Sequence, residues 1–470
     1  MRTQSPGARS ALAALAQLGA RGWLVGGAVR DRLLGRPTDD LDVVVGDDPR
    51  ELAAELARQL RAHRFALSDA FGAWRVLARD HSWQIDITPL MGATIEQDLA
   101  RRDLTINAIA EPLAGGEAID PFGGRADLRA GRLRMVSADA FAADPLRSLR
   151  LARLIAELGF EAEAATVAAA RAAAPGLRAV APERQFAELR RILSSEDALA
   201  GLRAMETLGA TAAVLPELSA LRGVAQSQYH HLDVYEHTLQ VVAEAIALER
   251  APGELFPDLA AQLAELLAEP LAGGVTRGEA LRLGALLHDI AKPSTRAVRA
   301  DGRVTFMGHD QLGAELAREV LARLRAGERL AEHVAALTRH HLSLGFLVHR
   351  APLAPRQLYE YLASCGAVGV DVTLLSVADR LATRGRGSEE AIARHLELAR
   401  AVLPAALRWH KQPPAPPLRG DVLAGALGIP PGPELGWLLS ELEAASFAGE
   451  IGSSEEAIEL ARRLLAKRGG

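Results

Sequence analysis

The chain has one cysteine, Cys365, in 470 residues. An intrachain disulfide is therefore excluded, and a reducing compartment, the cytoplasm, is the expected location. Lysine is nearly missing. Lys292, Lys411 and Lys467 are the only three, so arginine supplies almost all of the 54 basic residues. Arginine is the better bidentate phosphate ligand. Aromatic residues make up 4% of the chain, and the prevalence of alanine, leucine and arginine favours helices. No uninterrupted apolar run reaches the ~18 residues of a membrane span. The segment Ala11–Leu18 is too short, and too polar at its edges, for a secretory signal. There is no overall basic excess either: the formal net charge is −5, so any nucleic-acid contact must rest on local clusters.

The length suits about three domains. Residues 1–138 read as α/β, with strands expected at Trp23–Val25, Leu41–Val45, Trp74–Leu77 and Trp83–Ile87, and helices at Ala28–Leu34 and Pro49–Leu60. Beyond Asp139 strand signals nearly vanish and helical apolar spacing takes over, as in Leu146, Leu149, Leu151, Leu154 and Leu158. The expected fold class is α+β, divided into a small α/β head at 1–138, a helical neck at 139–225, a helical domain at 226–411, and a Pro-rich linker with a helical tail at 412–470. Gly223–Tyr229 reads as the connector after the neck.

The most informative stretch is Trp23–Val45. An apolar strand runs into Gly26-Gly27, a helix carries Arg30 and Asp31, and a second strand opens with Asp40-Leu41-Asp42. Side chains alternate across a strand, so Asp40 and Asp42 share a face. Two carboxylates beside a Gly-Gly turn suit Mg²⁺ and a triphosphate. Asp86, in Gln84–Thr88, is a candidate third carboxylate from an adjacent strand. Arg147, Arg150 and Arg153 recur every three residues on an expected helix as a basic stripe, and Arg184, Arg190 and Arg191 follow on another.

Together with Arg101–Ala108 (RRDLTINA), Asp120–Gly124 (DPFGG) and Asp144–Arg150 (DPLRSLR), this stretch resembles the tRNA nucleotidyltransferase and bacterial poly(A) polymerase family. The resemblance covers roughly the first two hundred residues. It implies catalysis by Asp40, Asp42 and Asp86, triphosphate binding by Gly26, Gly27 and Arg30, and ribose contacts by Arg102, Asp103 and Asn107. It also implies base reading by Asp144 and Arg147, with Arg150 and Arg153 beside them. The partners implied are tRNA, CTP and ATP, and no membrane.

Two departures stand out. The family pattern has Glu before the base-reading Asp, where this chain has Ala143. Only Pro89–Ala100 separates the Asp86 strand from the RRD block, where many CCA-adding relatives carry a long flexible segment; a short connection resembles the CC-adding specialists, so a product ending in CC is expected.

In the helical part, His237, His288-Asp289 and Asp379 follow the order H…HD…D, which resembles the HD phosphohydrolase superfamily. Imidazole and carboxylate ligands suit Ni, Mn, Co, Fe or Zn. His309, with His340 or His341, would extend the set to two metals, and Lys292 would stabilise developing charge during attack on a phosphate ester. The competing functions are a poly(A) polymerase, an HD phosphohydrolase with a nucleotide-sensing head, and an RNA-binding protein with a vestigial site. Intact Asp40, Asp42, Arg102 and Asp103 argue against the last.

Overall fold

The computed structural model describes residues 5–68, 72–226, 232–385 and 387–468. The 227–229 part of the expected connector lies outside them. The chain forms two compact units, Met1–Val214 and Leu215–Gly470.

The first unit is built on a six-stranded mixed sheet. Its strands are β1 (Gly22–Val25), β2 (Asp40–Val45), β3 (His63–Ser68), β4 (Ala73–Leu77), β5 (Gln84–Pro89) and β6 (Ala110–Pro112), in the order β3-β4-β5-β2-β1-β6. The β2–β5 pair is parallel and the others are antiparallel. Leu41, Val43, Ile85 and Ile87 are fully buried on the two central strands, which is why their β-branched runs were readable from the sequence. The edge strands β3 and β6 were not expected. β3 is an edge strand with Phe65 and Leu67 exposed, so it shows no apolar-in, polar-out alternation. The helix Pro6–Gln17, capped by Ser5, was also missed. It packs on Trp83, which comes just before β5 rather than inside it: a Cβ on Gly7 would lie 2.5 Å from the indole.

The Pro89–Ala100 connection is folded onto the sheet. It contains the helix Ile95–Leu99, and Ile95 and Leu99 are buried with Val25, Val44, Ala108 and Ala110. The Asp120–Gly124 turn has a structural purpose. The Asp120 carboxylate accepts the Gly124 and Arg125 N–H groups at 2.7 and 2.9 Å, and a Cβ at Gly124 would sit 2.1 Å from the Thr105 carbonyl oxygen. The turn therefore clamps the 3₁₀ segment Thr105–Asn107. The neck helices follow, among them Arg147–Leu158 and Pro182–Ser194, and run to the end of this unit.

The second unit is helical, with two short hairpins, Pro270–Ala272/Val275–Thr276 and Arg296–Val298/Val304–Phe306, that the sequence did not announce. Its centre is formed by Val234–Arg250, Arg277–Leu287, Glu328–His340 and Gly369–Ala382. By length and mean hydropathy alone, Pro355–Ala382 passes for a membrane-crossing helix among the described residues, although charged residues such as Glu360 and Asp371 interrupt its apolar run. Most of its apolar 18-residue window, 78%, is buried inside the unit, and a 3₁₀ turn at Gly366–Val368 divides it, so it is a pair of core helices. The tail helices Gly420–Leu427, Pro433–Phe447 and Ser454–Arg468 bury their own cluster around Leu423, Leu438 and Leu442. Arg356 joins the tail to the rest of the unit through Glu450 at 2.7 Å and Glu441 at 3.1 Å.

Candidate active site and metal centre

Gly26 ends β1 with φ +69° and ψ −136°, a conformation for glycine. An added Cβ there would meet Arg102 Nη1 at 2.9 Å and Asp42 Oδ2 at 3.2 Å. Glycine thus lets the β1–helix turn, Asp42 and Arg102 converge. Around them opens a cavity of ≈ 510 Å³, lined by Gly26, Gly27, Arg30, Asp40, Asp42, Arg102, Asp103, Asn107, Arg147, Arg150, Arg153 and Arg191. The Trp23–Val45, Arg101–Ala108 and Asp144–Arg150 stretches therefore meet in one hollow.

Asp40 and Asp42 are solvent-reached residues on β2, with the apolar residues between and after them buried. Asp40 accepts from Gln84 Nε2 at 2.8 Å. The protein walls that displace water around Asp42 push its pKa up to about 6; Arg102 pulls against this, and Asp40 and Asp86 add to it. A cation between Asp40 and Asp42 would offset that repulsion, so the donor set fits a hard divalent ion. Asp86 stands level with Asp42 across the parallel β2–β5 pair, but both its oxygens are taken by Arg75, at 2.6 and 2.7 Å. It is not part of the cavity lining.

Arg30 donates twice to Asp31, at 2.9 Å each, and once to Asn107 Oδ1 at 2.9 Å. Asn107 Nδ2 donates to Asp103 Oδ1 at 3.0 Å, which also accepts the Leu104 N–H at 2.8 Å. Asp103 Oδ2 faces Arg150 at 3.2 Å. Burial pushes Asp103 up, but Arg150, Asn107 and the Leu104 N–H together hold its pKa down at about 2. The chain of contacts continues from Arg150 to Glu188 at 3.9 Å, from Glu188 to Arg153 at 2.6 Å, from Arg153 to Glu157 at 2.7 Å and from Glu157 to Arg191 at 3.2 Å. The basic stripe is therefore largely neutralised: Arg153 is 4% exposed between two carboxylates. Glu157 and Glu188 were missed in the sequence. For Glu157 the available signal was its spacing four residues after Arg153; Glu188 pairs with Arg150 and Arg153 on another helix, which no local spacing shows.

Arg147 donates to three backbone carbonyls, those of Ala140 at 2.8 Å, Arg101 at 2.7 Å and Arg102 at 3.4 Å. That is how it is held where Ala143 supplies no carboxylate. Asp144 lies outside the cavity lining, and its Oδ2 accepts from Arg184 at 2.8 Å.

In the second unit, His237, His288, Asp289, His309, His341 and Asp379 converge. His237 Nε2 lies 3.0 Å from Asp379 Oδ1 and 3.7 Å from Asp289 Oδ2. His288 Nε2 lies 3.1 Å from Asp289 Oδ2, and on its other oxygen Asp289 is approached by His309 Nε2 at 3.4 Å and His341 Nε2 at 3.9 Å. Two overlapping groups able to hold a metal result, His237–His288–Asp289 and Asp289–His309–His341. His341, not its neighbour His340, points into the cluster; His340 is half-buried beside Arg339 and Asp310.

The imidazole tautomers test the fit to a metal. Nδ1 of His288, His309 and His341 each contacts a backbone carbonyl, of Ala285 at 2.8 Å, Phe306 at 2.6 Å and Thr338 at 2.6 Å. A carbonyl only accepts, so each Nδ1 carries a proton and each Nε2 is the ring atom turned toward Asp289; burial pushes His288 down, but Asp289 beside it outweighs this and raises its pKa. The Nε2 atoms of His288 and His309 are buried without a hydrogen-bond partner, and burial lowers His341 to a pKa of about 4. Imidazole Nε2 atoms grouped around one carboxylate are a donor set that a transition-metal cation fits. Lys292 approaches Asp289 at 2.6 Å. A cavity of ≈ 840 Å³ opens on the cluster, walled by Lys292, Phe306, Met307, Phe346, Arg380 and Arg394.

Comparison with known proteins matches this arrangement. The Poly A polymerase head domain family matches residues 22–134, the "Probable RNA and SrmB- binding site of polymerase A" family residues 159–221, and the HD domain family residues 234–384. An A-adding tRNA nucleotidyltransferase of Deinococcus radiodurans is 37% identical over 94% of each chain. A CC-adding tRNA nucleotidyltransferase of Thermus thermophilus is 36% identical, over 92% of this chain and 91% of that one. A multifunctional CCA protein of Halorhodospira halophila is 38% identical, over 72% of this chain and 77% of its own. Among solved structures, a CCA-adding enzyme with CTP aligns with a TM-score of 0.65 and 20% identity, covering 98% and 96% of the two chains. On these matches, the chain belongs to the tRNA nucleotidyltransferase and bacterial poly(A) polymerase family of template-independent RNA nucleotidyltransferases.

Proposed function

We propose that this protein transfers cytidylate from CTP to the 3′ end of tRNA, releasing pyrophosphate, and that its product ends in CC, with ATP a poorer donor. The observation that carries the transferase reading is the single cavity in which Asp40, Asp42, Gly26, Gly27, Arg30, Arg102, Asp103 and Asn107 meet. Asp40 and Asp42 would hold Mg²⁺, which supplies charge to ionise the attacking 3′-hydroxyl and to offset the leaving pyrophosphate. The glycine turn admits the triphosphate against backbone, and Arg30, fixed by Asp31 and Asn107, supplies cationic donors to it. Asp103, ionised at neutral pH, accepts from the 2′-hydroxyl, which identifies a ribonucleotide. Asp144, just outside the cavity lining, would accept from the exocyclic amine of the base through the lone pairs that the Leu146 N–H and Arg184 leave open. Arg147 has five N–H donors; three are committed to carbonyls, and the remaining two serve ring acceptors.

The CC end-point rests on the Pro89–Ala100 connection, which is short and packed into the sheet. Switching from C to A requires the base pocket to reshape, and a buried helix cannot lever it. The A-adding relative is the contrary case. Sequencing tRNA 3′ ends after incubation with CTP and ATP together separates the two. Ends at CC support the proposal. Dominant CCA ends, or A added to a CC-ended tRNA and no C to a shorter one, refute the end-point. A long oligo(A) tail would identify a poly(A) polymerase.

A second activity is favoured by the histidine tautomers. The HD cluster would hold a transition metal such as Ni, Mn, Co, Fe or Zn through His237, His288, Asp289 and Asp379, with His309 and His341 available for a second. With metal supplied, the protein is expected to hydrolyse a phosphomonoester or a 2′,3′-cyclic phosphate. His288→Ala and Asp289→Ala should each lower hydrolysis by at least about 10²-fold, the scale of losing several kcal/mol of metal-derived stabilisation. Both should retain nucleotide addition, because the two sites lie in separate units. Elemental analysis without bound transition metal, and no hydrolysis after reconstitution, would make this domain structural.

A further inference from the structure

The two base-reading side chains are anchored by different means. Arg147 is fixed by backbone, through the carbonyls of Arg101, Arg102 and Ala140, so its position follows the fold. Asp144 has no comparable frame. It ends the short helix Ala140–Ala143 with an extended backbone at φ −146°, and its side chain is 31% exposed. One oxygen accepts the Leu146 N–H at 3.2 Å. The other accepts from Arg184 Nη2 at 2.8 Å, across forty residues of sequence. Arg184 is on the neck helix Pro182–Ser194, the helix that also carries Glu188 into the contact chain beneath the cavity. A carboxylate free to turn about its last bond offers its lone pairs in many directions, whereas one pinned at both oxygens offers them in one.

We propose that Arg184 is a specificity-determining residue that positions Asp144: it sets the direction of the carboxylate lone pairs that distinguish a base with an amino group at C4 (cytosine) or C6 (adenine) from one with a keto oxygen there (uracil, guanine). This rests on the reading of Asp144 as a base reader. Arg184 acts through Asp144 and need not touch the nucleotide. The pair is half-exposed, so its contribution to folding is small, and its effect belongs in the choice among nucleotides. Where Ala143 leaves Arg147 to the backbone, the charged partner of the reading pair is found on Asp144.

The test is kcat/KM for CTP, ATP, UTP and GTP on a tRNA lacking its terminal nucleotides, for wild type, Arg184→Ala, Arg184→Lys and Asp144→Ala. The CTP:UTP ratio is insensitive to any inactive fraction, which scales all four nucleotides alike. Arg184→Ala should lower that ratio by roughly tenfold, the scale on which a hydrogen-bonding group loses its fixed geometry. Arg184→Lys, which keeps a cation, should restore part of it. If Arg184→Ala keeps the wild-type ratio while Asp144→Ala loses it, Arg184 has no positioning role and Asp144 remains a reader. If neither variant changes the ratio, the base-reading assignment of Asp144 fails and this inference fails with it. A uniform loss across all four nucleotides in Arg184→Ala would mark the pair as structural and overturn the proposal.

Discussion

Asp42→Ala is expected to lower nucleotide addition by at least about 10³-fold, since metal-derived charge stabilisation is worth several kcal/mol and each ~1.4 kcal/mol is a factor of ten. Binding of tRNA, measured by filter retention or anisotropy, should change by less than about threefold, because the carboxylate faces the nucleotide cavity rather than an RNA surface. Asp40→Ala should behave alike. Asp86 provides the internal contrast. Both its oxygens are occupied by Arg75, so its role is to hold charge near Asp42, and Asp86→Ala should cost only about 10–100-fold, the scale of losing an outer partner of a metal ligand. Addition at near wild-type rate by Asp42→Ala would end the assignment. Equal, complete loss in all three would place Asp86 in direct contact with the metal.

Arg277→Ala carries the largest expected effect on stability. Asp371 is fully buried, and its carboxylate pairs with Arg277 and lies 3.7 Å from His333. Arg277 also donates to the Ala367 carbonyl at 3.2 Å. These residues join three helices whose other ends carry His288-Asp289, His341 and Asp379. Removing the arginine leaves a buried charge, at a cost of about 3–5 kcal/mol, or roughly 10 °C in Tm for a unit of this size.

The sign of the pH dependence follows from the same contacts. Burial pushes Asp371 up, and His333 with Arg277 outweighs it, so the folded pKa is lowered. The stabilisation is therefore present above the unfolded carboxylate range and is lost as pH falls through the folded value. In Arg277→Ala burial acts with much less opposition, the carboxyl protonates more readily, and the penalty shrinks on acidification. The stability gap between wild type and variant should narrow between pH 7 and about pH 5. A double variant, Arg277→Met with Asp371→Leu, should recover much of the loss. Melting curves by circular dichroism that show less than about 1 kcal/mol of loss for Arg277→Ala would refute the buried-pair account.

What the sequence disclosed and what it hid have physical reasons. Gly26-Gly27, Asp40, Asp42 and the RRD block were legible because their geometry is local: a turn, a strand face, a short loop. Their meeting in one cavity was inferred from order and is seen in the structure. Long-range partners were not legible. Nothing near Asp86 in sequence names Arg75 as the residue that claims it, and nothing near Asp144 names Arg184. The Arg147–Arg150–Arg153 stripe was visible as charge, but Glu157 and Glu188, which neutralise it, were not connected to it. The choice between His340 and His341 stayed open for a similar reason. Adjacent residues at a helix end point about 100° apart, and only the packing of Glu328–His340 decides which one faces Asp289. Arg277, His333 and Asp371 escaped notice because a buried charge group looks, in sequence, like three solvated residues.

The most direct measurement of the central claim is incorporation of each labelled nucleotide into a tRNA that ends at its discriminator base, with purified full-length protein and Mg²⁺. Label from CTP should enter to a limit of two residues per tRNA, with UTP and GTP excluded and Asp42→Ala inactive. No incorporation from any nucleotide, or incorporation from ATP alone without a fixed stop, would contradict the account.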